Sequence, residues 1–330
     1  MPILRTALVS AFCLIATLAH AAGFRLITVP AEAGAPMLRA AVWSPCLEPA
    51  GEVKIRTTTL PATPDCRVSG EKLPLIVISH GYQGSFISHH DTAEALADGG
   101  FVVVALNHPI DSGGGDMSHA DTLAALTDRP ADIKRLIDYM LTAWPDHQKL
   151  DPDNIGFFGF SRGGYTGLVV AGGDPNLQKM TAFCANGFPK PICAQQQGDE
   201  IQAQALVHDP RVKALVIADP AFGPLFDTHG LKDVKIPIQL WESELSGEDK
   251  TGGEVMPDYV SAIDHDLPIK AHYHLVRDAG HFAFLAPCSA ELAKRLPRIC
   301  LDKHGFDRVA FHQQFDAAVL AFFRKYLVHN

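Results

Sequence analysis

The chain has 330 residues, of which 47% are hydrophobic and 20% charged, and its formal net charge is −9. That apolar content suits one large α/β domain or two small ones. The acidic balance, with no Lys/Arg cluster, argues against a nucleic-acid surface and says little about small uncharged substrates.

At the N-terminus, Arg5 precedes a short apolar run, Ala7 to Leu18, followed by Ala19-His20-Ala21. This is the order of a charged n-region, an apolar h-region and an A-x-A cleavage site. The run is short for a transmembrane helix. Residues 1–21 are therefore expected to be a signal peptide, cut after Ala21 or Ala22. An uncleaved anchor is the alternative. Residues 22–330 would form one periplasmic or secreted domain without an integral membrane span. Cys13 leaves with the signal. Cys46, Cys66, Cys184, Cys193, Cys288 and Cys300 remain, and an even number of thiols in an exported chain points to disulfides. Proximity alone suggests Cys46–Cys66, Cys184–Cys193 and Cys288–Cys300. No C-x-x-C or His-rich spacing suggests a metal site, and no cofactor is expected.

Phe24 to Val29 and Leu38 to Trp43 read as an antiparallel pair at a sheet edge. Cys46 to Lys72, rich in Pro and Thr, reads as an excursion pinned by a disulfide. Leu73 to Ser79 (LPLIVIS) is a continuous apolar run, as expected of a strand buried on both faces, and leads into His80-Gly81-Tyr82. Ser88 to Asp98 has helical spacing. Phe101 to Leu106 (FVVVAL) is the next buried strand and runs into Asn107-His108-Pro109. Arg129 to Trp144 is amphipathic, with Pro130 suited to its first turn. Ile155 to Phe158 then form a strand, and Tyr165 to Ala171 a buried helix. Further strands are expected at Val212 to Ala218, Ile236 to Trp241 and Ala271 to Val276. Asp258 to Asp266 should form a short helix and Phe311 to Val328 a terminal one. The alternation implies an α/β fold with a mostly parallel central sheet and helices on both faces. Thr181 to Pro210 breaks it and reads as a small cap insertion over the site, with a peripheral excursion as the alternative. Ala286 to Phe306 is a second insertion.

The chemistry centres on Gly159-Phe160-Ser161-Arg162-Gly163, a G-x-S-x-G pattern between strand and helix. This is the pattern of a nucleophile elbow, in which flanking glycines let a strained serine turn tightly between its neighbours. A serine hydroxyl needs a base to take its proton and an acid to orient that base. His281, in Asp278-Ala279-Gly280-His281-Phe282 after the last strand, is the expected base. Asp219 is the preferred acid, because a carboxylate at the end of an apolar strand costs solvation unless it has a partner. Glu244 and Asp249 in WESELSGEDK are the alternatives, and Glu242 to Asp249 reads as a solvated polar loop. The oxyanion hole would use the backbone amides of Tyr82 and Arg162. His80 reads as a brace for the Tyr82 loop, and structural roles are favoured for His108 and Asp111. His80, His108, Phe160 and Phe282 are the candidate pocket residues.

These motifs resemble the α/β-hydrolases, and among them the dienelactone hydrolase-like and platelet-activating-factor acetylhydrolase-like esterases. The matching segments are Ser79-His80-Gly81-Tyr82, Asn107-His108-Pro109, Gly159 to Gly163 and Gly280 to Cys288. The acetylhydrolase-like branch takes its acid after the strand that follows the elbow unit, which maps onto Asp219. Many dienelactone hydrolase-like relatives take it one strand later, at WESELSGEDK. Dienelactone hydrolase itself uses a cysteine nucleophile where this chain has Ser161, so a dienelactone substrate is not implied. The expectation is an exported serine hydrolase of small-molecule or lipid carboxylic esters. Acyl transfer on the same triad and a non-catalytic binding protein on this scaffold are the alternatives.

Overall fold

The structure, a computed structural model, describes residues 22–180, 184, 206–246 and 257–329. The expected signal segment, most of the 181–210 cap, Cys193 and Asp249 lie outside the described residues.

The strands are β1 (Gly23–Val29), β2 (Leu38–Ser44), β3 (Val53–Ile55), β4 (Thr58–Leu60), β5 (Thr63–Pro64), β6 (Leu73–Ser79), β7 (Val102–Asn107), β8 (Leu150–Phe160), β9 (Val212–Ala218), β10 (Ile238–Ser243) and β11 (His272–Val276). Nine of them form one sheet in the order β11-β10-β9-β8-β6-β7-β2-β1-β5. From β7 through β11 every neighbour is parallel, while β2 runs antiparallel to both β7 and β1. The longer helices are α1 (His90–Asp98), α2 (Ala124–Thr142), α3 (Arg162–Val170), α4 (Pro257–Asp266) and α5 (Arg308–Leu327).

Successive side chains of a strand point to opposite faces, so a strand covered on both faces must be apolar throughout. In β6, Leu75 and Val77 join α2, α3 and α4 in one core, while Ile76 and Ile78 join α1 and α5 in the other. All four are buried, each stabilising the fold by roughly 1.5–3 kcal/mol.

Two sequence expectations need correction and a third gains detail. The second long helix begins at Ala124, so Pro130 sits inside it and not in its first turn. Burial of Ala125 and Leu126 extends the helix upstream, offsetting the hydrogen bond that proline removes. The excursion after Cys46 contains a β3–β4 hairpin, and β5 pairs with β1 at the sheet edge. Glu242 is no loop residue: β10 extends through Ser243, and Glu242 is buried and accepts a hydrogen bond from the Tyr273 hydroxyl at 2.6 Å. Two of the suggested disulfides, Cys46–Cys66 and Cys288–Cys300, are formed. Among the described residues, no helix is long and apolar enough to cross a membrane.

This topology gathers the chemistry at one end. β8 lies between β6 and β9, and the carboxyl ends of β6, β8, β9 and β11 lead respectively into His80, Ser161, Asp219 and the turn carrying His281. Ligand crevices of open α/β sheets form at this end.

Candidate active site

Ser161 joins the end of β8 directly to the start of α3, with φ 56° and ψ −117°. Positive φ is costly for a residue with a Cβ, and such strain concentrates at functional sites. The turn is held by backbone bonds from Ser161 to Ala218 at 3.0 Å and from Ala221 to Ser161 at 2.9 Å. The glycines follow from space. A Cβ on Gly159 would overlap the Gly163 carbonyl, and one on Gly163 would overlap the Ser79 carbonyl.

Asp219 leaves β9 with φ 42°, also in the left-handed region. Its Oδ2 lies 3.0 Å from His281 Nδ1. A carboxylate only accepts, so Nδ1 carries the ring proton. The Ser243 amide donates to Asp219 Oδ1 at 2.8 Å, and the Ser243 hydroxyl donates to Oδ2. Both members of the pair are buried. Phe160, one residue before Ser161, stacks on the His281 ring with centroids 4.5 Å apart. Ser161, Asp219 and His281 are thus brought to one place by three different strands.

Glu244 is engaged elsewhere. Its oxygens accept from Arg277 at 2.6 Å and from the Asp278 amide at 2.8 Å, which secures the loop leading to His281. Those bonds hold its carboxyl below the usual range. Burial pushes Glu242 the other way, toward its protonated form.

The loop expected to supply the oxyanion amide lies against the elbow. A Cβ on Gly81 would stand 3.0 Å from the Ser161 Cβ. Tyr82 follows, its ring covered by the Arg162 guanidinium at 4.2 Å. Arg162 is buried; its side chain donates to the Ala120 carbonyl at 2.5 Å and to Asp121 at 2.9 Å. Phe282 sits edge-on to His281 at 5.3 Å and lines a cavity of about 350 Å³ with Leu245, Gly280 and Arg298.

His80 and His108 lie beneath this loop, fully enclosed. Nδ1 of His80 donates to the Gly81 carbonyl at 2.6 Å, and Nε2 accepts from the His108 amide at 3.2 Å. Burial, with the Arg129 charge adding to it, lowers the His80 pKa to about 4. His108 contacts Ser79 Oγ at 2.9 Å and Asp132 at 3.0 Å. Burial drives His108 well below its ordinary range and raises Asp132 to about 8.

Arg129 organises this layer and was not singled out by the sequence, nor was Ser243. The Arg129 guanidinium donates to Asp111 at 2.6 Å, Ser79 Oγ at 3.1 Å, Thr166 Oγ1 at 3.1 Å and the His80 carbonyl. A signal existed: Arg129 and Asp132 share the helical spacing of buried Ile133, Leu136 and Ile137. Charges on an apolar face require partners. Ser243 left only a weak signal, a hydroxyl at a strand's carboxyl end.

Residues 59–223, half of the chain, match the family model described as the dienelactone hydrolase family. The chain belongs to this family. The matched stretch includes Ser161 and Asp219 and ends before His281. By family, then, the protein is a carboxylic ester hydrolase. Among solved structures, it is similar to a ferulic acid esterase from Streptomyces cinnamoneus, with a TM-score of 0.60 and 17% identity over 95% of this chain and 91% of the other. It is also similar to an esterase from Pyrococcus furiosus, with a TM-score of 0.50 and 12% identity over 92% and 93% of the two chains. These likenesses establish the α/β-hydrolase fold. No curated protein matches the sequence.

Proposed function

We propose that this dienelactone hydrolase family member is an exported serine esterase working through Ser161, His281 and Asp219. The supporting observation is the buried Asp219–His281 contact of 3.0 Å, held against a strained serine elbow by the Phe160 ring. In this reading Ser161 attacks the ester carbonyl as His281 Nε2 takes its proton. Asp219, itself held by Ser243, fixes the Nδ1–H tautomer and stabilises the imidazolium. The amides of Tyr82 and Arg162 stabilise the tetrahedral oxyanion. His281 protonates the departing alcohol, and water then releases the acyl group by the same steps. The buried Arg129 layer keeps the Gly81–Tyr82 loop in place, so the oxyanion donors need no reorganisation during reaction. Export is part of the proposal, motivated by the signal-like residues 1–21 and the two formed disulfides.

Ser161→Ala should lower turnover of a short p-nitrophenyl ester at least about a thousandfold while leaving the thermal unfolding curve in place. Retention of full activity by this variant would sink the assignment. N-terminal sequencing of periplasmic protein should start at Ala22 or Gly23, and an intact Met1 would refute cleavage.

A further inference from the structure

His281 opens a short helical turn, His281–Phe284. The last carbonyls of such a turn have no partner within it and need donors from elsewhere. Two buried histidines supply them. His89, just before α1, donates from Nδ1 to the Phe284 carbonyl at 3.1 Å, and His312 of α5 donates from Nε2 to the Ala283 carbonyl at 2.8 Å. The other ring nitrogen of His312, Nδ1, lies 2.6 Å from Oδ2 of Asp91, in the first turn of α1. A carbonyl and a carboxylate only accept, so both nitrogens carry protons and the ring is an imidazolium. Burial opposes that charge, but the Asp91 hydrogen bond and charge outweigh it, raising the His312 pKa and lowering that of Asp91. Around the ring stand His89, His90 and Asp91 from the α1 side and Asp316 from α5, with Glu94 beside His90. Burial, with the Asp91 charge adding to it, raises Asp316 to about 7.

We propose that His312 and Asp91 are positioning residues for ester hydrolysis: their buried ion pair holds the Ala283 carbonyl and so sets where His281 stands beside Ser161. This rests on the reading of His281 as the base. Asp219 fixes the imidazole through Nδ1, and Phe160 supports its face. The backbone that carries it is two residues from Ala283, whose amide donates to the Gly280 carbonyl at 3.0 Å. A charged donor makes a hydrogen bond roughly twice as strong as a neutral one. His312 is only 3% exposed, so water does not replace it. The device is sensitive to pH. The folded pKa of His312 lies above its unfolded value, so the pair supports the turn fully below about pH 6.5 and is lost as pH rises through the raised pKa. A neutral ring that keeps Nε2–H for Ala283 turns an Nδ1 lone pair on Asp91 Oδ2, and the 2.6 Å contact opens.

Steady-state hydrolysis of a p-nitrophenyl ester by the full chain tests this, in an Asp91→Asn background so that no charge is stranded. Asp91→Asn/His312→Leu loses the donor to Ala283 and should lower kcat about a hundredfold with KM within about threefold, the effect of a displacement of about 1 Å. Asp91→Asn/His312→Gln restores a donor and should recover at least about tenfold of that loss. Equal kcat for the two double variants, or full kcat in the first, overturns the proposal. If circular dichroism shows the leucine variant unfolded, the pH profile decides. In Asp91→Asn the carboxamide donates to a neutral ring, so its contact does not titrate. The kcat ratio of unmodified protein to Asp91→Asn should therefore fall at least about threefold between about pH 6 and pH 9, and should do so in an Asp316→Asn background as well. A constant ratio, or one that changes only while Asp316 is present, overturns the proposal. His281→Ala, assayed alongside, keeps the two readings apart. An active variant sinks the choice of base, whereas an inactive one with full kcat in the leucine variant sinks the positioning role alone.

Discussion

Replacing Arg129 with methionine should destabilise the protein by about 4 kcal/mol. The guanidinium and the Asp111 carboxylate are both buried and lie 2.6 Å apart. Removing one partner of such a pair strands a charge in a low dielectric and costs about 3–5 kcal/mol. Arg162 stands 3.6 Å from the other Asp111 oxygen, which holds this cost near the lower end. The His80 carbonyl also loses the Arg129 donor, worth about 1 kcal/mol. Ser79 keeps its contact with His108 and Thr166 keeps its bond to the Arg162 carbonyl, so neither adds much. Urea unfolding at pH 7, followed by tryptophan fluorescence, measures the change. Adding Asp111→Leu should recover at least about 2 kcal/mol, because no charge is then stranded. A cost below about 1 kcal/mol for the single variant, or a double variant no more stable than the single, would refute the reasoning.

Asp219→Asn should reduce kcat of ester hydrolysis by about a thousandfold or more, and Glu244→Gln by less than about tenfold. Kinetics run side by side decide this, and a larger loss for Glu244→Gln reverses the choice of acid. Gly163→Ala drives a Cβ into the Ser79 carbonyl and should cost at least about 3 kcal/mol in urea unfolding; an unchanged midpoint contradicts the tight elbow. His89 is buried between Phe158 and Phe160, and burial lowers its pKa to about 3. Its folded pKa lies below the unfolded one near 6.5, so its neutral form supports folding above pH ~6.5. That support is lost by about 1.4 kcal/mol per unit as pH falls toward 3. His89→Gln removes this titration while keeping a donor for the Phe284 carbonyl. Its stability deficit relative to the unmodified protein should therefore narrow by about 2 kcal/mol between pH 7 and pH 5; a constant deficit refutes the assignment.

The central fold is legible in the chain because a strand covered on both faces must be apolar at every position. LPLIVIS, FVVVAL and VKALVIA stand out for that reason, and their alternation with helical spacing dictates a parallel sheet. The elbow is legible because its glycines answer a steric demand a few residues long. The upstream start of α2 was not, since burial of Leu126 against other elements outweighs the local signal of Pro130. Nor was the strand membership of Glu242, whose carboxyl meets Tyr273 only across β10 and β11.

The nucleophile candidate, the histidine candidate and the α/β order can be read from the chain, because each rests on local spacing or chain order. The choice of acid was a different matter. Asp219 and Glu244 both follow strands, and both are carboxylates. The assembled sheet sets Asp219 at 3.0 Å from His281 and commits Glu244 to Arg277 and Asp278. It also showed Ser243 behind Asp219 and the Arg129 layer beneath the Tyr82 loop. These contacts join residues far apart in the chain, and a hydrogen bond depends on position in space, which chain spacing does not record.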